Sequence, residues 1–282
     1  MRYSLNELYR VVGISKQAVL KYEREEALFQ ERLGYLAAEV YLLRSDHPGC
    51  GLEKMYHILK PDFLGRDRFV YAMKRLGYGL KKPRAKHRTT YPGNLRHPNL
   101  IEGLVVQGPC EVWQSDLTYY RIGETFYYIV FLIDVYTKCI VGHRVSHTRH
   151  AEANVRAFQR AVSIYGAPKI HHSDRGIQYC SHVYIDALKS HKVRISMCRS
   201  PQENAYAERI NRTIKEEYLD LWKPKSGAHL KRLVTRAVNN YNQRRPHNHL
   251  RKRTPFQALE DAQACPREQR QPMKIFKKQS SL

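Results

Sequence analysis

Three segments rich in valine, isoleucine, tyrosine and phenylalanine follow one another in residues 112–146, VWQSDLTYYRIGETFYYIVFLIDVYTKCIVGHRVS. Gly123-Glu124 and Thr137-Lys138 separate them, at the places where tight turns are expected. Runs of β-branched and aromatic residues bounded by such turns are typical of antiparallel strands. We therefore predict three antiparallel strands, Val112–Ile122, Thr125–Tyr136 and Cys139–Ser146.

The pattern changes on the C-terminal side of these strands, where apolar residues recur at three- and four-residue intervals between short apolar runs. This predicts helix 151–165, strand 169–173, a helix from Ser181 to about His191, strand 193–197 and a long helix from Ser200. Ser200, Pro201 and Glu203 have the spacing of a capping box at the start of that last helix. The order βββαβαβα predicts an α/β fold with a mixed sheet.

The N-terminal side is predicted to be helical. Residues 4–25 have the layout of two short helices around Gly13-Ile14-Ser15, which is the helix-turn-helix arrangement. The predicted divisions are a helix-turn-helix-like segment 1–26, a helical DNA-binding domain 27–80, a basic linker 81–108, an α/β domain 109–222 and a basic C-terminal extension 223–282, whose tail is expected to be poorly ordered beyond about Asp261.

Charge points to a polyanionic partner. The chain has 282 residues with 49 lysines and arginines against 26 acids, a net charge of +23, together with 20 tyrosines. This combination suits nucleic acid better than a membrane surface. No run approaches the roughly 18 apolar residues that span a bilayer, and MRYSLNELYR lacks the apolar core of a signal peptide. We expect a cytoplasmic protein, with its six scattered cysteines as small buried hydrophobes.

Basic residues of the N-terminal half are candidate DNA contacts. Lys16 lies in the second helix of the helix-turn-helix pattern, and Arg66 and Arg68 begin the last helix of the helical domain. Residues 81–98 of the linker contain no acid and add Lys81, Lys82, Arg84, Lys86 and Arg88. These residues either follow a phosphate backbone or are the solvated charge of a flexible spacer, and the two interpretations are compatible.

Three acids lie at positions that suggest a specific role for the carboxylate. Asp116 lies inside the first strand, Asp174 directly follows a short strand, and Glu208 borders the apolar stripe of the long helix. Each has an ordinary alternative: a pair with an arginine for Asp116, a turn for Asp174 and a pair with Arg212 for Glu208. On a central strand, a neighbouring strand end and a packed helix, they can converge. Converging carboxylates repel one another unless divalent cations lie between them.

An all-oxygen ligand set suits Mg²⁺ or Mn²⁺. Two such ions about 4 Å apart can activate the attacking oxygen and stabilise the leaving oxygen of a phosphoryl transfer. Arg212 and Lys215 follow Glu208 on its own helix face, so we expect them to contact phosphates. Asp134 is a competing strand acid, which we interpret as structural because it follows the second strand rather than lying in the first.

These motifs resemble those of an insertion-sequence transposase of the retroviral-integrase-like DDE type, the catalytic product of a two-reading-frame element. Over about residues 5–260 the matching segments are WQSDLTY (113–119), HSDRGIQY (172–179) and NAYAERINRTIKE (204–216), with HPGCG (47–51), YNQRRPH (241–247) and TPFQA (254–258) in support. The resemblance implies an RNase H-like integrase catalytic core, a mixed five-stranded sheet with helices, preceded by small all-α helix-turn-helix domains.

The resemblance also implies an activity. It assigns Asp116, Asp174 and Glu208 as catalytic ligands of two Mg²⁺ (or Mn²⁺) ions, which support cleavage of element ends and their joining to target DNA. It implies double-stranded DNA as partner, a dimer or larger assembly on that DNA, and the bacterial cytoplasm, at the nucleoid. Pro201-Gln202-Glu203 departs from the family's usual glycine and aspartate, which makes Glu203 a competitor for the role of Glu208. A regulator that lost the chemistry and a plain metal-dependent nuclease are the alternatives.

Overall fold

The computed structural model describes residues 4–80 and 97–275, and the first of these ranges is all helical. Its helices are α1 Leu5–Val12, α2 Lys16–Asp46, α3 Leu52–Leu59 and α4 Arg66–Arg75. Ser4 caps α1 in a capping box, Gly13 ends it with a left-handed φ of 73°, and Ser15 caps α2. No helix within the two described ranges has the length and apolar character to cross a membrane.

Helix α2 is longer than the sequence pattern predicted. A short helix ending near residue 25 and a boundary at 26/27 were expected, but α2 continues for 31 residues. Residues 23–26, Glu-Arg-Glu-Glu, are strong helix formers without glycine or proline, so nothing in them stops the helix. The second half of α2 buries Leu36 and Val40 against α3 and α4. The expected segments 1–26 and 27–80 therefore share one helix.

A mixed sheet with crossover helices forms the next part of the chain. Its elements are β1 Val105–Val106, β2 Val112–Ile122, β3 Thr125–Asp134, β4 Ile140–Ser146, α5 Ala151–Tyr165, β5 Ile170–Ser173, α6 His182–Ser190 and β6 Arg194–Met197. The five-stranded sheet has the order β4-β3-β2-β5-β6, antiparallel from β2 to β4 and parallel from β2 to β6. The predicted α/β architecture with an N-terminal helical region is confirmed.

The remaining elements close the fold and are helical apart from one short strand. They are a 3₁₀ turn Pro201–Asn204, α7 Ala205–Ile214, a π-helical turn Lys215–Leu219, α8 Asp220–Trp222, α9 Gly227–Gln243, a 3₁₀ turn Asn248–Leu250, α10 Pro255–Ala264, a 3₁₀ turn Arg267–Gln269 and the strand β7 Met273–Lys274. The capping box predicted at Ser200 does not form, and α7 begins only at Ala205. The Glu203 carboxylate instead accepts hydrogen bonds from Arg199 N at 2.7 Å and Asn99 Nδ2 at 2.9 Å.

Helices cover both faces of the sheet, because the side chains of each strand alternate between the two faces. On β3, Val130 and Leu132 pack with α5 and α6, whereas Ile129 and Phe131 pack with α7 and α9. The core thus extends past residue 222, where a separate extension was expected. Residues 97–108 and 262–275, expected as linker and loose tail, also pack on the sheet: β1 pairs with β7, and Ile275 is buried.

A buried junction joins the helical part, residues 4–80, to the sheet part, residues 97–275. Arg245 donates two hydrogen bonds to the Glu217 carboxylate, at 2.7 and 2.6 Å, and Lys54 of α3 lies 3.6 Å from the same group. Gly49 N donates to the Glu217 carbonyl oxygen at 2.8 Å. A Cβ on Gly49 would lie 2.4 Å from Glu217 Cα, so only glycine fits there. The turn that contains HPGCG therefore rests on the π-helical turn after α7.

Candidate active site

Strand register brings Asp116 and Asp174 to neighbouring positions. Strands β2 and β5 run parallel, and the last residues that pair between them are Ser115 and Ser173. Asp116 and Asp174 follow directly, at the same level of two strands whose axes lie about 4.8 Å apart. This is the carboxyl end of the parallel pair, which is where open α/β sheets bind ligands.

Gln114 fixes the helix that carries Glu208 on the strand that carries Asp116. Its buried Oε1 accepts hydrogen bonds from Tyr206 N at 3.1 Å and Ala207 N at 3.3 Å, two amides at the start of α7. The first amides of a helix have no partner within the helix, so a side chain from elsewhere can satisfy them. Gln114 and Asp116 lie two residues apart on the same face of β2.

Asn211 links α7 to Asp116 directly. Its Nδ2 donates to Asp116 Oδ2 at 2.7 Å, while Leu117 N donates to Asp116 Oδ1 at 2.9 Å. Neither donor is an arginine, so these two bonds are not the arginine pair considered above as the ordinary role of Asp116. Asn211 Oδ1 is buried and has no hydrogen-bond partner in residues 4–80 and 97–275.

The carboxylates repel one another in a poorly hydrated place. Burial raises the pKa of Asp116 to about 8, with repulsion from Asp174 and then Glu208 adding to it, and the two hydrogen bonds act against the shift. Burial also raises the pKa of Asp174, opposed by the hydrogen bond that its Oδ1 accepts from Gly176 N at 3.0 Å. That bond, to Oδ1, is the turn expected as the ordinary role of Asp174.

The donor set fits a hard divalent cation in its chemistry. All three groups are carboxylates, and a cation between them would remove the repulsion that raises the pKa of Asp116. In the described part of the chain, however, no group of three or more histidine, cysteine, aspartate or glutamate side chains is gathered closely enough to hold an ion as it stands.

Both carboxylate oxygens of Asp134 accept hydrogen bonds from neighbouring groups of the fold. Its Oδ2 accepts from Cys110 N at 2.7 Å, and its Oδ1 accepts from both the backbone N and the hydroxyl of Thr137 at 2.8 Å. Burial raises its pKa, and these bonds act against the shift. The structural interpretation of Asp134 is confirmed.

The candidate DNA contacts lie in two places. Lys215 Nζ is 3.5 Å from Thr118 Oγ1, two residues beyond Asp116 on the same face of β2, and 5.0 Å from the centroid of the Tyr119 ring. Arg212 is exposed on α7. Lys16, Arg66 and Arg68 are exposed on α2 and α4, and Lys81, Lys82, Arg84, Lys86 and Arg88 lie outside the described residues.

Sequence reasoning missed Gln114 and Asn211. The available signal was their spacing from the acids: Gln114 lies two residues before Asp116 on a strand, and Asn211 lies three residues after Glu208 on a helix. Both spacings place a polar side chain on the same face as an acid.

Known proteins are similar to this chain in fold and in sequence. An integrase core domain model matches residues 106–202, and a second integrase core domain model matches residues 190–255. The solved structure of a simian T-cell lymphotropic virus intasome in complex with PP2A regulatory subunit B56 gamma superposes with a TM-score of 0.54 at 16% identity, covering 78% of this chain and 72% of that one. At that identity the likeness shows the fold alone.

Two curated relatives are closer in sequence. The insertion element IS600 uncharacterized 31 kDa protein of Shigella sonnei is 30% identical over 198 residues, which cover 66% of this chain and 72% of the relative. The transposase for insertion sequence element IS629 of Shigella sonnei is 32% identical over 144 residues, and the match spans about half of each chain, 50% and 49%. The chain therefore belongs to the integrase-core family of insertion-sequence transposases.

Proposed function

We propose that this chain is a DNA transposase that binds the ends of its mobile element, cleaves one strand to expose a 3′ hydroxyl and joins that hydroxyl to target DNA. The observation that carries the proposal is the β2–β5 register, which sets Asp116 beside Asp174 while Glu208 on α7 is near enough to raise the pKa of Asp116. An all-carboxylate site fits phosphodiester chemistry. The family of transposases and this chain's net charge of +23 fit a DNA substrate.

In this proposal Asp116, Asp174 and Glu208 hold two Mg²⁺ or Mn²⁺ ions. The ions, when bound, supply Lewis-acid activation of the attacking oxygen and stabilise the leaving oxygen. Asn211 keeps the Asp116 carboxylate in one orientation through its 2.7 Å hydrogen bond. Gln114 keeps α7, and with it Glu208, at a fixed place over β2.

Both reactions balance without a covalent enzyme intermediate. In cleavage, a water oxygen bonds to phosphorus, the bond from phosphorus to the 3′ oxygen breaks, and that oxygen takes up a proton. In joining, the new 3′ hydroxyl oxygen bonds to a target phosphorus, the bond from that phosphorus to the target 3′ oxygen breaks, and the leaving oxygen takes up a proton as the attacking hydroxyl loses one. We propose that Lys215 and Arg212 bind phosphates of the element end, and that the basic linker residues with Lys16, Arg66 and Arg68 contact DNA further away.

The test is cleavage and strand transfer of a labelled element end in Mg²⁺. We expect Asp116→Asn, Asp174→Asn and Glu208→Gln each to lower both reactions by at least about 100-fold, since each removes a charge from the ion site. Asp186→Asn, an exposed acid on α6, is the matched control and is expected to keep full activity.

The outcomes separate the alternatives. If the three variants join DNA as well as the wild type does, the assignment of the triad fails. A wild type that binds ends but neither cuts nor joins them is a regulator that retains the fold. A wild type that cuts without joining is a nuclease.

A further inference from the structure

A second row of apolar side chains runs along α2, away from the row that the helical part buries. Leu20 and Leu28 lie eight positions apart, and Tyr35 and Leu42 follow at intervals of seven, so each is close to two helical turns from the next. Their exposed fractions are 43, 57, 69 and 66%. We call this row, with Arg24 and Glu31 between its members, the α2 seam.

The charge of α2 argues against DNA as the partner of this seam. The helix carries five basic and six acidic residues, in a chain whose net charge is +23. Binding to phosphates needs an excess of lysine and arginine, and the seam itself has only Arg24 against Glu31. An apolar row that repeats about every seven residues instead fits another helix packed lengthwise against it.

We propose that the α2 seam is an interface between two copies of this chain whose α2 helices pack antiparallel. A two-fold axis between Ala27 and Leu28 sets Leu20 against Tyr35 of the second copy, and Arg24 against Glu31 of the second copy. Symmetry makes each contact twice. The two charged members of the seam then neutralise each other across the interface.

The charges of the seam select this arrangement. In a parallel pair, Arg24 would face Arg24 and Glu31 would face Glu31, so like charges would meet at two levels. In the antiparallel pair both levels are complementary. Residues 16–39 of the two α2 helices overlap, a length of about 36 Å at 1.5 Å per residue. Leu42 lies beyond this overlap, opposite Gly13 at the end of the second copy's α1. Tyr35 Oη lies 3.4 Å from Glu31 Oε1 and donates to it, which holds that carboxylate beside the seam.

The inference goes beyond the proposed function, because it identifies a surface and a partner rather than a reaction. Two element ends must be brought together for transposition, and an interface on α2 lies outside the sheet that carries the carboxylates. Its measurement needs neither DNA nor metal. Its failure is therefore distinguishable from a failure of the triad assignment.

The experiment uses the full chain and two charge reversals, Arg24→Glu and Glu31→Arg. By light scattering after size exclusion, we expect a dimeric wild type at about 50 µM and at least about tenfold weaker dimerisation of each variant alone, since each puts like charges opposite one another. An equimolar mixture of the two variants is expected to dimerise again as a heterodimer, identified by native mass spectrometry with a tag on one variant. The double variant Arg24→Glu/Glu31→Arg is expected to dimerise with itself.

The control is Tyr71→Glu, which changes a similarly exposed residue on α4 and is expected to leave the dimer intact. Far-UV circular dichroism checks that each variant is folded. A monomeric wild type overturns the proposal, as it would if the seam served a helix of another protein. Single variants that dimerise like the wild type, or a mixture that stays monomeric, overturn it as well.

Discussion

Gln114 is the residue on which the geometry of the candidate site depends most, although it is not itself an acid. Its carbonyl oxygen accepts the hydrogen bonds from two amides at the start of α7. Capping bonds of this kind each stabilise a helix by about 1 kcal/mol. Here the cap comes from β2, so the same bonds also fix the separation between Asp116 and Glu208.

Gln114→Leu keeps the size and burial of the side chain but removes the acceptor. We expect it to raise the Mg²⁺ concentration for half-maximal cleavage by about tenfold, because α7 shifts and Glu208 is displaced from its partners. Gln257→Leu is the matched control, since the Gln257 carbonyl accepts a hydrogen bond from Thr254 N at 2.9 Å in the cap of α10. Urea unfolding of both variants measures their losses of stability separately from the Mg²⁺ requirement. An unchanged Mg²⁺ requirement in Gln114→Leu would contradict the positioning role.

At the residue scale, the sequence was enough to single out the acids but not the amides that hold them. An aspartate inside an apolar strand is costly to bury, so Asp116 attracts attention by itself. A glutamine or asparagine at a buried position is explained only by its partner. The partner of Gln114 lies more than ninety residues away along the chain, which spacing alone does not reveal.

At the scale of elements, the π-helical turn Lys215–Leu219 is where the helical part and the sheet part meet. The close approach of Gly49 to Glu217 leaves no space for a side chain. We expect Gly49→Ala to destabilise the protein by about 1–3 kcal/mol, because the new Cβ overlaps backbone atoms that cannot move aside.

Gly51→Ala serves as the control for this change. A Cβ at Gly51 meets nothing within 4 Å, and its φ of −68° suits alanine. The expected loss there is at most about 1 kcal/mol, from the poorer N-cap of α3. Urea unfolding of both variants measures the difference, and equal losses would show that the contact at Glu217 is not tight in solution.

Elements whose ends are marked in the sequence were predicted well, and the others were not. Strand β2 and helix α5 have the predicted bounds, because glycine and other turn residues stand at their ends. Helix α2 carries no stop signal at the expected boundary. At Ser200 a capping pattern is present, but the bonds that cap α7 come from β2, and a local pattern carries no information about that.

At the scale of the whole molecule, a cluster of buried polar groups fastens the helical part to the sheet part. His47 is fully buried there, and its Nδ1 lies 3.1 Å from Tyr218 Oη. Burial lowers the pKa of His47 to about 4, although Asp46 acts in the opposite direction. Docking of the two parts therefore requires a neutral imidazole.

This requirement predicts a loss of stability in acid. Below a pKa of about 6.5 the unfolded chain binds a proton at His47 that the folded chain does not bind until about pH 4. Relative to His47→Gln, the wild type is expected to lose up to about 3 kcal/mol of unfolding free energy between these pH values, and nothing above about pH 7.

Urea unfolding of both proteins from about pH 7.5 to 4.5 measures this difference. The comparison with His47→Gln is needed because the raised pKa values of Asp116 and Asp174 increase stability as the pH falls. This contribution is the same in both proteins, so it cancels in the difference. Parallel stability curves would show that His47 is hydrated in solution.

Composition predicted DNA as the partner, but no sequence pattern predicted that the HPGCG turn packs on Glu217, since that contact is set by shape.

The position of Arg245 in the chain has a consequence for the order of events on the ribosome. Glu208 follows Asp116 by 92 residues, and Arg245 follows Glu208 by a further 37. Helix α7 packs on α9, and Glu217 finds its arginine only when residue 245 has been made. A chain released before that point keeps the contacts of α7 with β2 but lacks the Arg245–Glu217 ion pair, so we expect its α7 to be held less firmly. Under the proposed function, we expect incomplete translation products to be less active on DNA than the full chain.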